Sequence, residues 1–277
     1  MVPDMLDVLI MASGYTTAHR RVEDPAGPSG SRRFDATWLA IRHPTLGVVL
    51  FDTGYSEHVA AAAATFPDRI HLWVTPMYLR PEEAATARLA AVGIDAAEVR
   101  HVIISHFHVD HIGGIRDFPQ ATFYATAAAF DQAQRLRGLA AVRRGILRGL
   151  LPDDFDQRVR LLEDCCTMRR DPSSGLVMYH DMLGQQDFVP VLLPGHARGM
   201  VGLLVPSHNL LFAADASWSG DTFQRGVLPR QVVRLFFDSW SAFIDTQQKL
   251  RLFSAAHPQV EILFTHCPET MRRTAHA

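Results

Sequence analysis

Short apolar runs and longer stretches of helical periodicity alternate along the whole chain. Apolar runs between turn residues predict strands, and apolar positions spaced three or four apart predict amphipathic helices. The predicted strands are 6–11, 37–41, 48–51, 102–105, 122–125, 189–193, 202–205, 210–214 and 261–265. The predicted helices are 81–92, 126–137 and 238–256. Strands and helices mixed in this way indicate an α/β fold built from packed layers.

Two segments fit neither pattern. Residues 19–34 are rich in Arg, Pro, Gly and Ser, and residues 138–156 contain arginines and a Leu-Pro-Asp-Asp turn. Irregular connections of this length are often functional lids. A surface insertion without function is the alternative for both segments.

Composition and charge limit the classes of function. The chain has 277 residues, with 27 Lys and Arg against 29 Asp and Glu, for a net charge of -2. This balance offers no overall attraction to nucleic acid or to an anionic membrane, so neither is expected as a partner. No apolar stretch approaches the roughly 20 residues that cross a bilayer.

The cysteines indicate the compartment. Cys165, Cys166 and Cys267 are too few for a disulfide framework. The N-terminal apolar run has no Lys or Arg before it, unlike a secretory signal. Both observations predict a cytoplasmic protein.

The strongest chemical signal follows the predicted strand 102–105. His106 and His108 are two residues apart, so in an extended segment their side chains point the same way and can hold one metal ion. Asp110 and His111 are adjacent and can point toward a second ion in a turn. Left without partners at the end of an apolar strand, these four side chains would be costly to bury. The cluster therefore predicts a metal site.

Three more side chains follow apolar strands in the second half of the chain. His196 comes after 189–193, Asp215 ends the run 210–214, and His266 ends the run 261–265. Functional residues of α/β proteins gather in loops held by a rigid sheet, so these three are the candidates to complete the site.

Together these landmarks resemble the metallo-β-lactamase-fold hydrolases. The family's His-x-His-x-Asp-His motif matches residues 106–111, and its Pro-Gly-His turn matches His196. Its bridging aspartate matches Asp215, and its last histidine matches His266. An early Asp-x-Gly matches Asp52, which is interpreted as orienting a ligand histidine or the loop.

The resemblance implies one αββα sandwich of two mixed sheets flanked by helices. It would form a single domain, 1–277, with two similar halves of about 1–165 and 166–277. Two divalent metals are implied, zinc favoured, with iron, manganese or cobalt open. The ligands of one metal would be His106, His108 and His196. The ligands of the other would be Asp110, His111 and His266, with Asp215 and a water or hydroxide as bridges.

Departures from the pattern separate branches of the family. Diiron oxidoreductases resemble this pattern except for a Glu in the place of His108, so redox chemistry is disfavoured. Family nucleases carry a large extra domain, for which this chain has no room. True β-lactamases generally lack an aspartate in the place of Asp215, so hydrolysis of antibiotics is not expected. Residues 194–202 and 214–217 look like the N-acyl-homoserine lactonases. Those enzymes usually have a tyrosine in the place of Trp218, which here can donate through its indole or form the wall of an acyl pocket.

We therefore expect a metal-dependent hydrolase that opens a small ester or lactone. A bridging hydroxide would attack the carbonyl, with Asp110, Asp215 and Trp218 as catalytic candidates. The alternatives are hydrolysis of a phosphoester or organophosphate triester, a glutathione thioesterase anchored by Arg272 and Arg273, and a metal-loaded sensor without turnover. The sequence leaves open whether the chain forms a homodimer. The other histidines, among them His71, lack ligand spacing and are interpreted as surface or capping groups.

Overall fold

The computed structural model describes residues 6–275, which form two mixed β-sheets with flanking helices. The strands are β1 Asp7–His19, β2 Ser31–His43, β3 Gly47–Phe51, β4 Met77–Tyr78, β5 Val99–Ile103, β6 Thr122–Ala125, β7 Val159–Leu161, β8 Thr167–Arg170, β9 Val177–His180, β10 Val189–Leu192, β11 Val201–Val205, β12 Leu210–Phe212 and β13 Glu261–Leu263. The α-helices are α1 His58–Ala62, α2 Arg69–Val74, α3 Ala85–Ala91, α4 Val109–Ile112, α5 Ala127–Arg135, α6 Gly138–Arg143, α7 Phe155–Arg158, α8 Leu162–Cys165, α9 Gly220–Arg225, α10 Trp240–Ala256 and α11 Pro268–Arg272.

The two sheets come from successive parts of the chain. The first has the order β4-β1-β2-β3-β5-β6-β7, antiparallel from β4 to β3 and parallel from β3 to β7. The second has the order β13-β12-β11-β10-β9-β8, with β12 and β13 parallel and the others antiparallel. This architecture confirms the predicted αββα sandwich.

Alternate side chains along a strand enter two different cores. Leu39 and Phe51 enter the core between the sheets, whereas Trp38 and Leu50 enter the core under the helices that cover the first sheet. Phe51 meets Phe212 of the second sheet edge-on, with 5.9 Å between ring centroids. Burial on both faces explains why β3 and residues 38–41 of β2 have continuous apolar sequences.

Each predicted strand corresponds to an observed one, although β1 and β2 extend well beyond their predicted ends. The predicted helix 81–92 is broken, because a 3-10 turn at Pro81–Glu83 precedes α3. The prediction that 19–34 and 138–156 are irregular is wrong in part, since β1 and β2 extend into the first segment and α6 lies in the second. Among the helices described, none is both long enough and apolar enough to cross a membrane.

Candidate metal centre

The predicted site residues lie where strands end. β3 and β5 are parallel, and their carboxyl ends lead into Asp52 and into the loop that carries His106. In the second sheet, β12 and β13 are parallel and lead into Asp215 and His266, while β10 leads into the turn at His196. The structure thus brings strand ends of both sheets to one edge of the sandwich.

Asp215 lies at the centre of the cluster. Its Oδ2 is 3.3 Å from Nε2 of His196 and 3.2 Å from Nε2 of His266. Its Oδ1 is 3.4 Å from Nε2 of His111. The same Nε2 of His196 also lies 3.0 Å from Nδ1 of His108. The residues predicted from separate parts of the chain therefore form one contiguous cluster.

Three groups within this cluster each offer potential ligand atoms within 4.8 Å of one another. The groups are His106 with His108 and His196; His106 with His111 and Asp215; and Asp110 with His111 and His266. Among the described residues, four buried atoms here have no hydrogen-bond partner: Nε2 of His106, Nε2 of His111, Nδ1 of His196 and Oδ1 of Asp215. Buried polar atoms are normally satisfied, so imidazole and carboxylate atoms left in this state fit a site built for cations.

The electrostatics of the cluster also favour bound cations. Burial acts to lower the pKa of His111 and of His266, but the carboxylates of Asp110 and Asp215 outweigh it and raise both, that of His266 to about 10. Burial also acts to raise the pKa of Asp215, yet His266 and His111 hold it well below its usual value. The two carboxylates thus favour protons on the neighbouring imidazoles of a buried site. Metal cations can replace such protons and supply the positive charge instead.

Neighbouring groups fix the rings of the cluster. Oδ2 of Asp52 lies 2.7 Å from Nδ1 of His111, and its Oδ1 accepts a hydrogen bond from the backbone N–H of Ser105 at 2.8 Å. The Ser105 hydroxyl lies 2.9 Å from Nδ1 of His106. Each contact occupies the ring nitrogen that faces away from the cluster and leaves Nε2 directed into it.

A glycine allows the backbone after α6 to approach His108 closely. Gly145 has a φ of +64°, and a Cβ placed there would come 2.9 Å from Cδ2 of the His108 ring. Only glycine combines that backbone conformation with that approach without strain. The segment 138–156 therefore packs directly against the cluster.

The cluster opens into a cavity of about 560 Å³. His108, Asp110, His196, Asp215 and His266 form its polar end. Its other walls are mainly apolar and come from α2, α6, Trp218 and the segments around residues 16–34 and 232–236. The apolar side chains in these walls include Val22, Phe34, Ile70, Val74, Leu139, Val142, Trp218, Val232, Val233 and Phe236. Both segments that were predicted to be irregular, 19–34 and 138–156, thus contribute residues to the cavity wall.

Trp218 lies in the cavity wall beside the cluster. Its ring meets the His196 ring edge-on, with 6.3 Å between centroids. Its backbone carbonyl accepts a hydrogen bond of 3.0 Å from Arg32, which also donates to the carbonyl of His266 at 2.7 Å and forms an ion pair with Glu23. The Arg32 guanidinium is therefore engaged within the protein, by two backbone carbonyls and one carboxylate.

His71 is a titratable cavity residue that the sequence did not reveal. It lies on α2, is half-buried and lines the cavity, so its interpretation as a surface or capping group was wrong. Burial lowers the pKa of its imidazole, although Asp110 acts in the opposite direction. No local spacing marks His71, because only the packing of α2 beside the site brings it there.

Comparison with known proteins is consistent with this geometry. The sequence profile of the Metallo-beta-lactamase superfamily matches residues 32–167. An N-acyl homoserine lactonase AttM from Azorhizobium caulinodans is 29% identical over 241 residues, which cover 84% of this chain and 81% of that protein.

Two solved structures share the fold. An N-acyl homoserine lactone hydrolase, with the product N-hexanoyl-L-homoserine at its catalytic metal center, has a TM-score of 0.70 at 16% identity, covering 98% of this chain and 97% of that one. The dizinc quorum-quenching lactonase AidC has a TM-score of 0.63 at 16% identity, covering 97% of this chain and 89% of that one. At this identity the likeness shows the fold.

Proposed function

Because the chain is a hydrolase that contains a metallo-β-lactamase superfamily domain, we propose that it opens the ring of a small lactone, with an N-acyl homoserine lactone favoured. One observation carries the proposal: a cluster of imidazoles and carboxylates forms the polar end of a largely apolar cavity of about 560 Å³. A lactone head beside the cluster and an acyl chain along the apolar wall would fill both parts.

The proposed centre holds two divalent cations, zinc favoured. His106, His108 and His196 would hold one, and Asp110, His111 and His266 the other, with Asp215 shared. Three unpartnered buried atoms that face the cluster, Nε2 of His106, Nε2 of His111 and Oδ1 of Asp215, support this ligand set. When bound, two such cations lower the pKa of a shared water toward about 7 and polarise the carbonyl under attack.

The chain's own side chains would supply positioning and proton transfer. Asp110 borders the cavity, so its carboxylate would be placed to take a proton from the attacking water and pass it to the leaving alkoxide. The Trp218 indole, which lines the cavity beside His196, would hold the substrate against the cluster. Asp52, through His111, would fix the orientation of the ligand rings.

The decisive experiment joins metal analysis to a substrate panel. We expect about two metal ions per chain and turnover of N-acyl homoserine lactones in preference to aryl esters, thioesters and phosphotriesters. His106→Ala should remain folded and lose activity. The matched control is His257→Ala, because His257 also contacts a carboxylate, that of Asp171 at 3.2 Å, but lies outside the cluster.

Two results would reject the proposal. One is the absence of turnover on any lactone or ester by the metal-loaded protein, which would favour a sensor. The other is activity that survives in both His106→Ala and Asp215→Ala. Preferred turnover of phosphotriesters would move the assignment to the phosphoester alternative. The thioesterase alternative finds no support, since Arg272 and Arg273 form ion pairs with Glu269 and Glu261 and neither lines the cavity.

A further inference from the structure

Exposed apolar side chains are concentrated around the cavity mouth. Of the eleven large apolar residues that are exposed among those described, eight fall in three segments, 66–75, 137–145 and 228–236. The eight are Phe66, Trp73, Val74, Leu139, Leu228, Val232, Leu235 and Phe236. Concentrated exposed apolar surface usually marks an interaction site.

The three segments form one continuous surface, here called the mouth surface. α2 packs against α6. Nε of Arg143 donates to the carbonyl of Leu235 at 2.8 Å, and Arg144 donates to that of Phe236 at 3.3 Å. Each segment also contributes to the cavity wall, so the mouth surface surrounds the way in.

The mouth surface carries an excess of positive charge. Its arginines are Arg69, Arg137, Arg143, Arg144, Arg230 and Arg234, and its sole acidic residue is Asp68. Within residues 6–275, none of these six arginines forms an ion pair. Hydrogen bonds to backbone carbonyls, such as that from Arg69 to Ala64, leave the charge in place.

We propose that the mouth surface docks on an anionic lipid bilayer. Arginines bind lipid phosphates while neighbouring apolar side chains insert at the boundary of the acyl chains. Trp73 is 71% exposed and suits that boundary, because an indole is apolar with one polar atom. The overall charge of -2 hides this surface, since the arginines come together only in the folded chain.

The positive charge and the exposed apolar side chains of the mouth surface together favour a lipid bilayer as its partner. A second copy that docked through the same surface would bring arginines against arginines, at a cost in repulsion. A nucleic acid would satisfy the arginines but leave the exposed apolar side chains without partners. A bilayer satisfies both. If the proposed lactone hydrolysis holds, acyl substrates dissolved in the membrane would enter the cavity directly; the docking itself does not depend on that activity.

Vesicle binding tests the proposal. The full chain should sediment with vesicles of phosphatidylcholine and phosphatidylserine, much less with phosphatidylcholine alone, and binding should weaken as salt is raised. The variant Arg69→Gln/Arg230→Gln/Arg234→Gln should lose about a hundredfold in affinity, because each arginine near an anionic surface contributes about fivefold. The control Arg100→Gln/Arg169→Gln/Arg170→Gln removes the same charge from exposed arginines elsewhere and should lose less than threefold.

The apolar contribution is tested separately. Trp73→Ser should weaken vesicle binding, whereas Met168→Ser, which removes an exposed apolar side chain from β8, should not. Absence of binding to anionic vesicles, or equal losses in the test and control triple variants, would overturn the proposal. A self-associated state that only the mouth-surface triple variant dissolves would assign the surface to a second copy. Duplex DNA binding as tight as vesicle binding, and unaffected by Trp73→Ser, would assign it to nucleic acid.

Discussion

Oδ2 of Asp52 lies 2.7 Å from Nδ1 of His111, and both side chains are buried. Since the other Asp52 oxygen is held by the N–H of Ser105, this carboxylate fixes how His111 presents Nε2 to the cluster. Asp52→Asn should weaken metal binding by about 10–100-fold, the usual effect of losing a partner that orients a ligand. Competition with a chromophoric chelator measures the affinity.

The control for Asp52 is another buried aspartate that contacts a histidine. Oδ1 of Asp171 lies 3.2 Å from Nε2 of His257, outside the cluster. Asp171→Asn should therefore lower stability while leaving metal affinity within about twofold of wild type. Equal metal affinities in the two variants would show that Asp52 does not act on the metal site.

Two glycines at the ends of α6 separate backbone strain from contact with His108. Gly138 and Gly145 have φ values of +57° and +64°, so alanine at either position should cost about 1 kcal/mol of unfolding free energy. At Gly138 the added Cβ would meet its nearest atom, in Pro67, at 4.0 Å, whereas at Gly145 it would press on the His108 ring at 2.9 Å.

Gly145→Ala should therefore reduce hydrolytic turnover at least about tenfold, because displaced catalytic groups lose rate steeply. Gly138→Ala should retain it within about twofold. Urea denaturation and steady-state rates measured on both proteins test this. If Gly145→Ala and Gly138→Ala have equal stability and equal activity, the close approach of residue 145 to the His108 ring does not affect turnover.

Arg32 holds the start of β2 to two backbone carbonyls beside the site. Arg32→Met would release the carbonyls of Trp218 and His266 and leave the buried Glu23 without its cation. Breaking a buried pair typically costs about 3–5 kcal/mol, much of it from the stranded charge. Chemical denaturation should show a loss of that size, and Arg32→Met/Glu23→Gln should recover part of it.

Arg135→Met is the control for Arg32, because Arg135 pairs with Asp131 and the two side chains are 80% and 47% exposed. A pair in solvent contributes at most about 1 kcal/mol. If Arg32→Met costs no more unfolding free energy than Arg135→Met, the contacts of Arg32 do not stabilise the fold.

The sequence revealed those parts of the site that are specified locally. His106 and His108 follow a buried strand at alternate positions, so their shared direction is a property of extended backbone. His196, Asp215 and His266 could be added because each follows an apolar run, and the ends of parallel strands meet at one edge of a sheet. The cluster was predictable because both patterns, histidines at alternate positions and a candidate ligand after each apolar run, can be recognised without knowing how the sheets pack.

Features that arise only from packing were not predictable in the same way. β8 is exposed along its whole length, so no alternation of polar and apolar residues marks it. His71 reaches the cavity only because α2 packs beside the site. The arginines of the mouth surface lie on three segments far apart in the chain, and the total charge conceals them.

The carboxylate of Asp171 makes stability depend on pH. Its Oδ2 accepts hydrogen bonds from the N–H and hydroxyl of Ser174, at 2.8 and 2.6 Å, and from the hydroxyl of Ser173. Burial acts to raise its pKa, but these bonds outweigh burial and lower the pKa to about 2. Since the pKa in the unfolded chain is about 3.9, the stabilisation is complete above that value and is lost as the pH falls toward 2.

Wild type should therefore exceed Asp171→Asn in unfolding free energy by about 2 kcal/mol at pH 6, the contribution typical of hydrogen bonds to a charged group. The difference should shrink steadily below about pH 4. Denaturant titrations of both proteins across that range measure the difference in unfolding free energy. Any loss of metal in acid affects both proteins alike, so it does not contribute to this difference. Asp164→Asn, at an exposed position, should differ from wild type by less than about 0.5 kcal/mol at every pH. A difference for Asp171→Asn that stays constant down to pH 2 would show that the stabilisation does not require the ionised carboxylate.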